Sequence, residues 1–268
     1  MNEQLARGKL LLDSPAEAVV RIRISNPDRR NALDHEILDA LAETLPRLDN
    51  GIETRCVLIT GAPPVFSAGY DIAAIPSETF ERDAEALVAH PFHKALEALA
   101  AHPWPTVAAI NGHCLGGGLE LAITCDLRIC AAGAKLGMPP AKLGLVYGHT
   151  GLRKFLDTVG LARTKELFLT GRYYQAGRAE EIGLVHEVVD DSRLEDAAVE
   201  LAAEVAANAP LSMRGNKSAI DLLNASPVLT EQQEAGLVAL RESCFASEDL
   251  REGIRAFAEK RKPEWKGR

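Results

Sequence analysis

No stretch of the chain is apolar and long enough to cross a bilayer. The opening residues, MNEQLARGKLLLDS, lack the unbroken apolar core of a secretory leader. No two cysteines stand at CxxC spacing, and the five present (Cys56, Cys114, Cys125, Cys130, Cys244) are an odd number. That argues against a disulfide framework or a zinc ribbon and reads as reduced thiols, small core hydrophobes of a cytoplasmic protein. An excess of positive charge is missing too. The formal net charge is −8, so nucleic acid and acidic membranes are excluded as default partners. An anionic ligand would need positive charge placed locally, and the last nine residues supply Lys260, Arg261, Lys262, Lys266 and Arg268.

Several catalytic and nucleotide motifs fail on a single position. Gly116-Gly117-Gly118 is not a dinucleotide fingerprint, because Leu121 stands where the last glycine would fall. No glycine loop runs into GK[ST], and no GxSxG elbow occurs. His35-Glu36 begins like a zinc-binding helix, but position 39 is Asp. His90 and His93 have no third ligand nearby and read as surface histidines, since a metal site wants three or four ligands.

What is present is a pattern of strands and helices. An apolar share of 47% in 268 residues is ample for one large core, with or without a helical appendage. Ala18–Ser25 alternates with period two from Val20, as a half-buried strand should. Asp34 is placed to cap a helix through Leu48, with Ile37, Leu38, Leu41 and Leu45 on one face. Arg55–Thr60, Thr106–Asn111 and Asp126–Ala131 are compact runs suited to buried strands, and Glu78–Ala101 is helical by composition. Strands separated by helices predict parallel pairing through crossovers. From about Gly148 the pattern is nearly all helix, with Ser192–Asn208, Pro210–Asn224, Thr230–Ala246 and Ser247–Lys260 each opening on a cap or an N1 proline. The class is α/β with a helical tail.

Two segments carry chemistry. Val65-Phe-Ser-Ala-Gly-Tyr-Asp-Ile72 follows a strand, and its small residues let a backbone approach a ligand. Asn111-Gly-His-Cys-Leu-Gly-Gly-Gly-Leu-Glu-Leu-Ala122 is a strand, a glycine turn and a helix start. The unpaired amides of a helix N-terminus carry partial positive charge. Either segment alone merely ends a strand; two such turns converging would make a site for a developing oxyanion.

FSAGYD together with GHCLGGGLELAITCD resembles the signature of the enoyl-CoA hydratase/isomerase, or crotonase, superfamily. The likeness runs from Asn26-Pro-Asp-Arg-Arg-Asn-Ala-Leu33 to SEDLREGIRAFAEKRKPEW. It implies a spiral of ββα units over residues 1–190 and a helical oligomerisation region over 191–268. It also implies a homotrimer or homohexamer, with coenzyme A entering only as part of an acyl-CoA substrate and no metal or prosthetic group. By the same resemblance, the N–H groups of Tyr70 and Gly117 form the oxyanion hole. Ser67, Ala68 and Ile72 line the adenine and pantetheine path, and Arg29, Arg30 and Lys260 meet the phosphates, Lys260 from a neighbouring subunit.

The hydratases of the family place two glutamates around a water. The first corresponds to Glu120, whose bland alternative is a carboxylate complementing a helix dipole. The second position holds Pro140, which has no acid–base group. Tyr147 matches a tyrosine of the methylmalonyl-CoA decarboxylase branch, which also lacks the second glutamate. The resulting expectation is an acyl-CoA lyase that decarboxylates a short malonyl-type thioester. The alternatives are a hydratase using Glu120 alone and a non-catalytic CoA-binding member. His149, Glu120 and water stand as candidate proton donors.

Overall fold

The N-terminal residues form an antiparallel meander, β1 (Asn2–Leu5), β2 (Leu10–Ala16) and β3 (Val19–Ile24). Of these only β3 follows from the alternation noted above. The computed structural model describes residues 2–71, 91–226 and 228–268. The chain continues through α1 (His35–Arg47), β4 (Cys56–Gly61), β5 (Val65–Ser67), α2 (His93–Ala100), β6 (Thr106–Ile110) and β7 (His113–Leu115). Then come α3 (Gly117–Thr124), β8 (Leu127–Ala131), β9 (Lys135–Gly137), α4 (Pro140–Leu143), α5 (His149–Thr170), β10 (Tyr173–Gln175), α6 (Ala176–Glu181) and β11 (Glu187–Val189). Four helices close it: α7 (Leu194–Ala206), α8 (Pro210–Ala225), α9 (Glu231–Ala246) and α10 (Glu248–Glu259).

The larger sheet has the order β1-β2-β3-β4-β6-β8-β11, parallel from β3 onward. Its central strands, CVLITG and TVAAI, are buried throughout, which is why they read as continuous runs rather than alternations. Helix α1 buries Ile37, Leu38, Leu41 and Leu45, and Asp34 caps it by accepting from Ile37 N at 3.0 Å. Helix α7 packs on the same sheet through Leu194, Ala198, Ala202 and Ala206, so the packed body runs past residue 190 to Ala206. Two short strands, β10 and β11, interrupt the region expected to be all helix, and Gly160 breaks the regular geometry of α5.

The smaller sheet positions the site. Strands β5, β7 and β9 lie side by side and parallel, with β10 antiparallel at the edge. Their carboxyl ends therefore point the same way, and the segments leaving them gather at one end of the sheet, where open parallel sheets bind ligands. Those segments are Ala68–Asp71, Gly116–Glu120 and Met138–Pro140.

The Asn26–Leu33 motif turns out to be a bolt. Asn31, fully buried, donates from Nδ2 to Ala62 O at 2.7 Å and Val65 O at 2.8 Å, tying the loop to the β4–β5 connection. The C-terminal motif is likewise self-contained. Buried Asp249 accepts from Lys266 N and Gly267 N, and Trp265 Nε1 donates to Ala207 O at 2.7 Å. Within it Arg261 pairs with Glu252 and Glu259, and Lys266 and Arg268 with Glu248, so much of the terminal positive charge is neutralised internally.

Candidate active site

Gly69 (φ +94°) and Gly116 (φ +54°) adopt left-handed backbone that favours glycine, and each immediately precedes one of the predicted donors. The two turns are almost in contact. A Cβ on Gly69 would lie 2.9 Å from Leu115 O and 3.0 Å from Gly117 N. Leu33 pins the first turn, donating from its N to Gly69 O at 2.8 Å and accepting from Asp71 N at 3.1 Å. Gly117 opens α3, where an amide has no intrahelical partner. Among the described residues neither Tyr70 N–H nor Gly117 N–H donates to another group. The structure thus brings together the two amides named from sequence.

Glu120 sits in the first turn of α3 and is only 4% exposed. Burial pushes its carboxyl pKa up, countered by the Tyr147 hydrogen bond and by the charges of Lys154 and His93. Tyr147 Oη donates to Glu120 Oε2 at 2.5 Å and lies 3.2 Å from Tyr70 Oη. Desolvation holds the phenols of both tyrosines above their ordinary range, so they are neutral donors at physiological pH. The chain of hydroxyls Tyr70–Tyr147–Glu120 closes one side of a cavity of about 100 Å³. The Tyr70 ring packs edge-on against Phe92 at 4.6 Å between centroids and covers Gly117. Pro140, where the resemblance implies the second glutamate, is buried at the start of α4.

The other predicted residues distribute unevenly. Ala68 is exposed, and its N–H donates to Arg30 O at 3.0 Å, which places the Arg30 loop beside the oxyanion turn. Arg29 is not a free cation: it pairs with Asp71 at 2.9 Å. Ser67 is fully buried, its hydroxyl donating to Asn31 O at 2.8 Å and accepting from Gly69 N. Its side chain therefore shapes the turn, and the place of Ser67 on the ligand path belongs to the proposal below. Lys260 caps α10 in left-handed backbone, exposed and without an ion pair among the described residues. Ile72 lies outside the described residues, as do His90 and most of the helix expected over Glu78–Ala101. His149, exposed, does not line the cavity.

Sequence reasoning missed the opposite wall. Phe92, His93, Leu96, Glu97 and Ala100 of the α2 region face Gly151 and Lys154 of α5 across the cavity. His93, read as a surface histidine, is indeed 45% exposed in its side chain, pairs with Glu97 at 2.9 Å and lines this wall. The available signal was the i, i+3, i+4 spacing of these positions on each helix. A Cβ on Gly151 would come within 2.7 Å of Tyr147 Cε1 and 2.8 Å of Glu120 Oε1, so that glycine makes room for the hydroxyl–carboxylate pair.

Two adjacent turns with free amides, beside a buried carboxylate, are what an oxygen gaining negative charge requires, as a thioester carbonyl does on enolisation. The chain belongs to the enoyl-CoA hydratase/isomerase (crotonase) family, whose model matches residues 15–268. It is 32% identical to a short-chain-enoyl-CoA hydratase of Clostridium acetobutylicum, over 95% of this chain and 96% of that one. Among solved structures, an enoyl-CoA hydratase from Bacillus anthracis superposes with a TM-score of 0.88 at 34% identity, covering 97% of this chain and 100% of the other. An enoyl-CoA hydratase from Polaromonas sp. JS666 does so with a TM-score of 0.83 at 28% identity, over 96% and 99%. These matches bear out the α/β crotonase-like fold with its helical C-terminal region; the likeness to the decarboxylase branch stays with the proposal below.

Proposed function

We propose that this chain is an acyl-CoA lyase that decarboxylates a short malonyl-type thioester such as methylmalonyl-CoA. The observation that supports the reading is the Tyr147–Glu120 hydrogen bond, taken with the resemblance, which puts the second glutamate's position at Pro140, a residue without an acid–base group. Decarboxylation needs no base. The C–C bond breaks, CO₂ leaves, and the electron pair moves onto the thioester oxygen between Tyr70 N–H and Gly117 N–H. Each such donor contributes on the order of 3 kcal/mol to the transition state. The resulting enolate carbon must then take a proton. Glu120 is the best-placed donor, because burial favours its protonated form and Tyr147 occupies only one of its oxygens.

The names borne by the relatives favour a second reading, hydration of an enoyl-CoA with Glu120 handling both water and proton. Incubation with methylmalonyl-CoA and crotonyl-CoA separately, followed by mass spectrometry, tests both. Loss of 44 mass units — about that of CO₂ — from the first supports decarboxylation, addition of water to the second transfers the case to hydration, and neither leaves a CoA-binding protein without turnover. In the decarboxylase, Tyr147→Phe lowers kcat about tenfold or more while KM moves less, since it removes a hydrogen bond that orients the reacting groups.

Coenzyme A phosphates are assigned to Arg30 and Lys260, with Arg29 joining if it exchanges Asp71 for phosphate. Binding should weaken with added salt. The reading requires no metal or prosthetic group. Homo-oligomer contacts, in a trimer or hexamer, are placed on the C-terminal helices, which expose Ile220, Leu223, Phe245, Ile254 and Phe257. Light scattering on the purified chain measures the assembly. A cytoplasmic setting fits the free cysteines, and no helix among the described residues is long and apolar enough to cross a membrane.

A further inference from the structure

Lys154 stands one helical turn beyond Gly151 on α5 and lines the same cavity as Glu120 and Tyr147. Three other basic residues of this region are paired. His93 pairs with Glu97, Lys217 with Asp126 at 2.7 Å, and Arg214 with Asp49 at 3.4 Å. Lys154 is half-buried, yet among the described residues it makes no ion pair and no hydrogen bond. Glu120 faces it but lies outside salt-bridge distance, and its carboxyl is held by Tyr147. Burial pulls the Lys154 pKa down, with Glu120 the leading influence in the other direction. Buried charges in folded proteins are ordinarily paired. An ammonium that lines this cavity with carboxylates at a distance (Glu120, Asp221, Glu97) and no ion pair among the described residues is half of an ion pair whose other half arrives with the ligand.

We propose that Lys154 is the specificity-determining residue of the acyl pocket and binds the carboxylate at the end of a short dicarboxylic acyl thioester. The cavity of about 100 Å³ suits a short group of malonyl-to-glutaryl size. The acyl-CoA reading given above underlies this inference, but the type of reaction does not. The attraction acts on a charge already present in the ground state, so it governs KM rather than kcat. For a malonyl-type substrate the ion pair is lost as CO₂ leaves, so there it would lower KM and kcat together.

The test uses pairs of thioesters matched in carbon number: succinyl-CoA against butyryl-CoA, and glutaryl-CoA against valeryl-CoA, titrated calorimetrically into the full-length protein. Wild type should bind the carboxylate-ended member of at least one pair about tenfold or more tightly, as a charge-assisted hydrogen bond provides. In Lys154→Met that preference should collapse to about twofold or less, through weaker binding of the carboxylate-ended member. Lys154→Arg, which keeps the charge, should retain most of it, and circular dichroism checks that both variants are folded. Equal wild-type affinity within both pairs, or a preference that survives in Lys154→Met, overturns the inference and leaves the acyl-CoA reading standing. Failure of all four thioesters to bind overturns both.

Discussion

Two walls of the site are made of different material: the turns that carry the two free amides, and the cavity beside them, lined by side chains. One is backbone: the turns at Gly69 and Gly116–Gly118, where a Cβ on Gly118 would lie 2.7 Å from Ser67 O and there is no space for adjustment. The other is side chain: Tyr147, Glu97 and Lys154, delivered by helices and a loop that meet only in the folded state. The backbone wall suits what every enolate-forming reaction shares, an oxygen that becomes negative. The side-chain wall can be rewritten residue by residue without disturbing the first. The difference teaches where to look for common chemistry and where to look for selectivity.

The sharpest break comes from removing one amide. Gly117 is the first residue of α3, a position that accepts proline, so Gly117→Pro should fold while deleting the N–H. Because a Cβ there would meet the Tyr70 ring at 2.8 Å, Gly117→Ala, which keeps the N–H, is the steric control. Turnover is expected to fall on the order of 10²–10³-fold, read as kcat on the true substrate with an unchanged circular dichroism spectrum. Wild-type turnover in a folded variant would take Gly117 out of the oxyanion hole. Across the cavity, Gly151→Ala forces a methyl onto the Tyr147 ring and the Glu120 carboxylate. Both are side-chain ends that can shift, so the helix should survive and catalysis drop about 10²-fold through misplacement. A variant that kept full activity would show that the hydroxyl–carboxylate geometry is not used.

A smaller effect concerns stability. Glu120 has a raised folded pKa, so its native state holds the proton more tightly than the unfolded chain does. Below the ordinary glutamate pKa of 4.5 both states are protonated and burial carries no ionisation penalty. The penalty grows as pH rises from there and is complete above the folded pKa. Glu120→Gln, which can still accept from Tyr147, should therefore melt higher than wild type at pH 8, an advantage that shrinks towards pH 4. An advantage that grew on acidification would contradict the sign. The smallest effect lies outside both walls: Asp34→Ala removes the α1 cap for a loss of about 1 kcal/mol, roughly 2–4 °C in Tm, with turnover retained.

Much of the backbone wall was legible in the sequence, because glycines at Gly69, Gly116, Gly117 and Gly118 announce close approach and unusual dihedrals directly. Helix caps at Asp34, Thr230 and Ser247 were legible for a similar local reason. The β1–β2 pair was not, since its identity depends on pairing with β3 rather than on its own pattern. Strands β10 and β11 are three residues each, too short for a period to register. The side-chain wall was half legible. Tyr147 stood out against a family pattern, but His93 and Lys154 are marked only by helical spacing, and their place in the cavity is set by how α2 and α5 approach. Ser67 shows the converse, a residue found by motif whose side chain faces inward to hold the turn.

The stitches between Leu33 and the Gly69–Asp71 turn, and between Arg30 O and Ala68 N–H, make the basic loop and the oxyanion turn one rigid piece. A nucleotide gripped at that loop would then serve as a ruler, fixing how far along the pantetheine arm the carbonyl must fall to meet both amides. On this account the handle of the substrate does more than add affinity: it registers the reacting atom. A thioester truncated to its pantetheine portion would lose turnover as well as binding, because remote binding energy is what holds the carbonyl in place.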